Sequence, residues 1–361
     1  SGTTVGGLVV PEFYDLSNSV SPAQAASATS NYRIVGLYLN TSLGYRRTLF
    51  LEYSLRNDWS STLPVKNRSY LYQSGGVSFV PTELFKKPNK YLSYLKVRAN
   101  VGTTGKDAGL YLLNSYFSLN PTILSYSSDY EIQLPFDGAS GAVKSSTIGN
   151  PALKPELTIT YEAGADVGLF NDHLNIEYTY YYSNSKNQII LANLPNSSGY
   201  SFSPLNVGRM TNRGHELAVN AKVLKNKLIN WSVFFTFNKN KNRVEKIADG
   251  LSELAIYSGI VHFGGHGSLN LVAKEGEPFG TYKGTSYQYD NQGRIIVDGS
   301  GAPKLASDLT YHGSYQPKFQ TSWGTDFSIK GLTAHVLFDA RIGGTFASNT
   351  KLSTEFNGTA Y

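Results

Sequence analysis

The 361-residue chain has no cysteine and a single methionine. Without a thiolate there is no disulfide framework, no Cys-ligated zinc or iron–sulfur site and no Cys nucleophile. Charge is sparse as well. Only 16% of residues are Asp, Glu, Lys or Arg, and the net charge of +6 is dispersed, with no dense basic stripe, so no nucleic-acid partner is expected. No run approaches the ~18 to 20 consecutive apolar residues of a membrane helix. The opening Ser1-Gly2-Thr3-Thr4-Val5 lacks a basic region followed by an apolar core, so no signal peptide is expected either. Two classes survive: a soluble β protein, or a closed membrane β-barrel. A barrel's alternating strands keep the mean hydropathy low, and here it is −0.26.

The residues present favour strands. The chain holds 26 Tyr, 18 Phe and 35 Gly, and alternation of apolar with polar positions is its dominant pattern. The clearest case is 155–167, where Pro155, Leu157, Ile159, Tyr161, Ala163, Ala165 and Val167 share one face and Glu156, Thr158, Thr160, Glu162, Gly164 and Asp166 the other. Eight further strands are expected: around 35–43, 49–55, 95–101, 174–180, 217–223, 229–237, 319–327 and 332–340. The connections alternate in length. Tight ones at 44–47, 170–173, 224–227 and 328–331 contrast with polar stretches at 58–67, 103–153, 187–212, 240–267 and 289–316. Short turns on one side and long loops on the other are the pattern of an outer-membrane barrel. A soluble sandwich rarely carries loops beyond ~12 to 15 residues, although it shares the strand alternation. Tyr and Trp near strand ends, as at Tyr53, Trp59, Tyr161, Tyr178, Tyr180, Trp231 and Trp323, suit interfacial girdles. A barrel register places the odd residues from Leu157 to Val167 in lipid and Glu156, Thr158, Thr160, Glu162 and Asp166 toward the interior.

Motifs for chemistry are weak. His262 and His266 have the i, i+4 spacing of a metalloprotease helix, but intervening glycines forbid the helix and no Glu follows His262, so both read as loop histidines. Gly102-Thr103-Thr104-Gly105-Lys106 has two residues between its glycines where a phosphate loop has four. Asp290-Asn291-Gln292-Gly293 and Asp298-Gly299-Ser300-Gly301 hold too few carboxylates for calcium and read as hairpin turns. Glu156 and Glu162 stand roughly 20 Å apart along one strand, too far for a glycosidase pair. No enzyme activity, cofactor or metal is expected.

Several segments in order resemble the SusC-like TonB-dependent transporters of Bacteroidetes. They are Tyr45-Arg46-Arg47 through Leu55-Arg56-Asn57-Asp58-Trp59 to Pro64; Leu92–Gly102, with Leu95-Lys96-Val97-Arg98-Ala99-Asn100-Val101; Gly149-Asn150-Pro151-Ala152-Leu153-Lys154-Pro155-Glu156; Gly164–Gly168 with Tyr180-Tyr181-Tyr182; Asn212-Arg213-Gly214-His215-Glu216-Leu217; Gly280-Thr281-Tyr282-Lys283-Gly284; and Asp339–Gly344. The resemblance implies an all-β fold: residues 31–345 as part of a 22-stranded antiparallel transmembrane barrel in the outer membrane, 1–30 as a lead-in that it does not place, and 346–361 as the start of a next loop or strand. Plug and remaining strands would lie outside this sequence. It further implies active import of oligosaccharides or oligopeptides, a SusD-like surface lipoprotein as lid, and TonB acting through the plug. A passive porin and a soluble or surface-attached glycan-binding adhesin are the competing readings. Trp59, Arg98, Asn100, Tyr111 and Tyr116 are the candidate ligand contacts: Arg98 and Asn100 on a polar face near the outer end of the lumen, Trp59 as a stacking surface at the same level, and the two tyrosines in the loop above.

Overall fold

The computed structural model describes all residues except 1, 26–28, 86–88, 119–123, 128–129, 133–140, 249, 263–267 and 360–361. It divides into Ser1–Arg33 and Ile34–Tyr361. In the first unit Gly2–Leu8 pairs antiparallel with Ser19–Ala25, and the connection is tied by buried Asn18, whose amide binds Val10 and Phe13 carbonyls at 2.8 and 2.7 Å.

The second unit is dominated by one antiparallel ten-stranded sheet. Its strands are β1 (Ile34–Tyr45), β2 (Leu49–Ser60), β3 (Ser69–Phe79), β4 (Leu92–Lys106), β5 (Glu156–Leu169), β6 (Leu174–Asn193), β7 (Phe202–Lys225) and β8 (Ile229–Lys246). A four-stranded sheet follows, β9 (Glu253–His262), β10 (Ser268–Lys274), β11 (Thr281–Gly284) and β12 (Thr310–Ser314), and then β13 (Phe319–Ile329) and β14 (Leu332–Ile342) complete the large sheet. Every large-sheet neighbour is a neighbour in that chain order, which leaves β1 and β14 as its two edges.

The register is sheared. A row perpendicular to the strands starts at Tyr45, the last residue of β1, and runs through Leu49, Phe79, Val97, Ala165, Tyr178, Leu217, Phe237 and Thr321 to Ala340 of β14. Ala340 lies eight residues beyond Leu332, where β14 begins. Such steady stagger is what strand tilt in a barrel wall produces.

All nine expected strands are present and a tenth, β3, went unseen. Its outward residues Leu71, Gln73, Gly75, Val77 and Phe79 break the apolar alternation in the middle, although the backbone pairs without interruption against Leu49–Trp59. Turn 170–173 lies where expected, and the other three tight turns shift by one or two residues. The long connections are shorter than expected. Most of 187–212 is ladder, paired from Gln188↔Val207 to Asn193↔Phe202; 240–267 holds the end of β8 with β9; 289–316 contains β12. Apolar alternation fades in these stretches while backbone pairing continues. His262 ends strand β9 instead of lying in a loop; His266 is outside the described residues. Both Asp-Gly segments are hairpin turns: Asp290 accepts the Gln292 and Arg294 amides at 2.9 Å each, and Asp298 those of Ser300 and Ala302 at 2.8 and 3.0 Å. Near the end Asn349–Phe356 is helical where a loop or strand was expected, with the Ser348 hydroxyl capping the Lys351 amide at 3.1 Å.

Buried apolar residues concentrate at the loop end of the sheet. One cluster joins Ala192, Val244, Ile247, Leu254 and Ala273; another joins Leu63, Ala108 and Leu153. Among the described residues no helix is long and apolar enough to cross a membrane, which says nothing of strands.

Candidate functional site

Successive strand residues point to opposite faces, and cross-strand partners share one. On that basis the register assigns two chemically distinct surfaces. One carries Leu37, Leu39 and Leu43, then Leu51 and Leu55, Val97 and Val101, Ala163 and Val167, Ile176, Val219, Phe235, Trp323 and Phe338. These side chains are largely uncovered: Leu37 is 70% exposed, Leu43 62% and Trp323 53%. An apolar band ten strands wide requires a hydrocarbon solvent or a second covering sheet. The odd residues from Leu157 to Val167 belong to it, on the side opposite Glu156, Thr158, Thr160, Glu162 and Asp166.

The other face is polar and hydrogen-bonded. Arg56 meets Asp58 at 2.8 Å, and the Tyr72 hydroxyl donates to the same carboxylate at 2.5 Å. Arg98 pairs with Asp166 and donates to Thr179 at 2.7 Å, while Asn100 donates to Glu162 at 2.7 Å. Asn212 accepts from Asn240 and Asn242 at 3.1 and 2.9 Å, Asn238 donates to Glu216 at 3.3 Å, and Ser322 donates to Asp339 at 2.6 Å. Asp58, Glu162, Asp166, Glu216 and Asp339 are thus each held by a neighbouring donor, while Glu52 and Glu177 stand exposed. The surface is therefore wettable and largely cross-linked by hydrogen bonds, a suitable lining for polar solute.

The segment Asn212–Leu217 condenses the design. Asn212 and Glu216 take inward hydrogen bonds, Leu217 joins the apolar band, and His215 lies on the outward side against Tyr180, with its Nδ1 2.7 Å from the Tyr178 hydroxyl. Gly214 lies under the Tyr181 ring, where a Cβ would come within 2.4 Å of ring atoms.

The five candidate contacts do not converge. Arg98 and Asn100 share the inward face, but Arg98 stands eight residues before the end of β4, about 26 Å below it at ~3.3 Å per residue, so it lies in mid-wall and not near the outer end. Trp59 is on the opposite, apolar face, paired with Val35 and Ser69. The expectation that it stacks at the level of Arg98 fails because Asp58, one residue earlier, takes the inward position. Tyr111 and Tyr116 are in the loop beyond β4 and pack edge-to-face at 5.8 Å. What sequence reasoning missed is a depression of about 380 Å³ bordered by Tyr38, Asn40, Ser54, Arg56, Tyr72 and Ser74. It could not be assembled without β3, which supplies Tyr72 and Ser74.

Above the wall the connections form a pinned platform. Asn150 donates to Pro204 at 2.8 Å, Leu153 is fully buried, and Asn206 binds both the amide and carbonyl of Lys154 at 2.7 Å. In the four-stranded sheet Lys283 donates to Glu253 at 2.7 Å and Tyr311 donates to the other carboxylate oxygen. Burial pushes the Glu253 carboxyl up, but these bonds and the Lys283 and Lys274 charges outweigh it and hold it below its ordinary range. The hydrogen bond to Glu253 holds the Lys283 ammonium above its own. Among the described residues no group of three or more His, Asp or Glu could hold a metal ion.

Two chemically distinct faces on a sheared, chain-ordered antiparallel sheet are what the wall of a β-barrel presents. The family model described as TonB dependent receptor-like, beta-barrel, matches residues 6–359, and the chain belongs to that family. It is 25% identical over 94% of its length to TonB-dependent receptor P3 of Formosa agariphila, covering 35% of that protein, and 26% identical over 80% to TonB-dependent receptor SusC of Bacteroides thetaiotaomicron, covering 29%. Among solved structures, the RagAB peptide importer in a closed-closed state matches 93% of the chain with a TM-score of 0.69 at 24% identity, over 36% of that chain. The chain thus spans about a third of the relatives it matches.

Proposed function

We propose that this chain forms part of the wall of a SusC-like outer-membrane importer that takes up oligosaccharides or oligopeptides too large for passive pores. The observation that carries the reading is the separation of faces: an uncovered apolar band across ten strands, backed by a polar lining on which Asp58, Glu162, Asp166, Glu216 and Asp339 are each held by a neighbouring donor. A soluble adhesin would cover that band, and among the described residues no second sheet does so. The open edges at β1 and β14 are not tolerated in lipid, so further strands complete the barrel. A plug engaging TonB and a SusD-like lipoprotein over the loop platform complete the machine. Binding is by hydrogen bonds and stacking on Tyr38 and Tyr72, with no covalent step. The test uses the full-length protein with its lipoprotein in cells. Uptake of oligopeptide or oligosaccharide that stops when TonB is removed is the expected result. Uptake that persists without TonB would establish a passive pore, and extraction of the protein without detergent would overturn the membrane assignment.

A further inference from the structure

The outward face of β6, β7 and β8 changes character above the apolar band. Tyr182, Leu217 and Phe237 end the band on the three strands, each eight residues from the turn-side end of its strand at Leu174, Lys225 or Ile229. Lys239 follows, then Lys186, Arg213 and Lys241, each twelve residues from the same end, with Arg209 and Arg243 beyond. All six side chains are exposed. Tyr182, Arg213 and Lys241 face one another in one row, and Lys186 faces Arg209. Among the described residues only Arg243 of these cations has a carboxylate partner, Glu245 at 3.8 Å.

The height decides what such a patch meets. Twelve residues at ~3.3 Å, on a strand tilted by ~40°, rise about 30 Å from the turns, just past an apolar band about 25 Å tall. The patch is also local. At the same heights β5 presents Ile159 and Leu157 outward, and β4 presents Thr103 and Gly105. A cationic row directly above tyrosines and an apolar wall fits an anionic amphiphile, whose chains lie on the band while its phosphates meet guanidinium and ammonium groups. Solvated cations of a loop would need no such alignment with the lipid face.

We propose that Lys186, Arg213, Lys239 and Lys241 bind the phosphorylated headgroup of an outer-leaflet glycolipid of the lipid A class. The proposal rests on the barrel reading with its long connections at the cell exterior. The test is native mass spectrometry of the full-length protein in detergent, titrated with lipid A, with its dephosphorylated form and with phosphatidylglycerol. The wild type should retain phosphorylated lipid A preferentially. The triple variant Lys186→Gln, Arg213→Gln, Lys241→Gln should lose about tenfold or more of that retention, whereas Lys227→Gln with Lys330→Gln, in the opposite turns, should retain it. Equal retention of the dephosphorylated lipid, or unchanged retention by the triple variant, would overturn the proposal. So would competition by millimolar inorganic phosphate equal to that of the lipid, since the patch would then be a free-anion site. Preference for phosphatidylglycerol would instead place the patch at the inner leaflet, and failure of the variant to hold its lipoprotein with lipid binding intact would make it a protein contact.

Discussion

Leu153 shows how one side chain organises a loop. It is fully buried with Leu63 and Ala108 while the backbone on either side is fixed by Asn67, Asn150 and Asn206. Removing most of such a side chain leaves a cavity that the pinned backbone cannot collapse, and core Leu→Ala changes cost about 2–5 kcal/mol. Leu153→Ala in the full-length protein is expected to loosen residues 107–118 and 141–155, seen as faster amide exchange and earlier proteolysis there, with exchange in β4 to β6 unchanged. Equal exchange in the loop would show that the asparagine bonds alone hold it. Residue-scale reading from sequence had clear limits for a related reason. Asn150, Leu153 and Glu156 stand out as a motif, yet their partners Asn67, Pro204 and Ile189 lie 33 or more positions away, and no local spacing announces them. Trp59 failed differently: its ring type suggested a stacking surface, but the one-residue parity of the strand turned it outward.

At the scale of elements, the four-stranded sheet above the wall is held by a titratable pair. The Glu253 carboxyl has a folded value below its ordinary 4.5, so its contribution is complete above that pH and is lost as pH falls through the lowered value. Lys283 lies above its ordinary 10.5, so its contribution is complete below that pH and lost as pH rises through the raised value. Amide protection in β10 and β11 should therefore hold between these limits and fall on the acid side of 4.5, and Glu253→Gln should flatten the acid limb. An unchanged acid limb in that variant would move the effect to other carboxylates. Within the wall, β5 gives a direct check of faces. Spin labels at Tyr161 and Glu162 in the full-length protein should report lipid and water respectively, and the reverse would invert the sheet. Nine of the ten wall strands were legible because each face meets one solvent and period two follows. β3 was not, since Gln73 and Gly75 occupy the centre of its apolar face and its place is set by Leu49–Trp59 on one side and Val97–Gly102 on the other. The upper parts of β6, β7 and β8 were hidden for the complementary reason: above the band strict alternation gives way to a consecutive run, Ile189-Ile190-Leu191-Ala192, and to isolated apolar residues such as Val207 and Val244, so backbone pairing rather than period two defines the strands there.

For the whole molecule, orientation follows from the sheared sheet and the contrast between its two ends. The turns after β1, β5, β7 and β13 are only two to four residues long, whereas the opposite end carries the buried clusters, the four-stranded sheet and the described residues of the connection between β4 and β5. Neighbouring antiparallel strands must emerge on alternate sides, so a single assignment fixes all ten. In outer-membrane barrels the short turns lie in the periplasm. The absence of cysteine from this chain makes the assignment measurable with introduced thiols, each of which reports alone among these residues. Asn226→Cys, in the turn after β7, should resist an impermeant maleimide on intact cells and react once the outer membrane is opened. Ser197→Cys, between β6 and β7, and Gln292→Cys, in an exposed hairpin turn, should react at once. Labelling of Asn226→Cys on intact cells with the other two protected would reverse the wall, carry the cationic rim of β6 to β8 to the inner leaflet, and remove the loop platform from the lipoprotein's side.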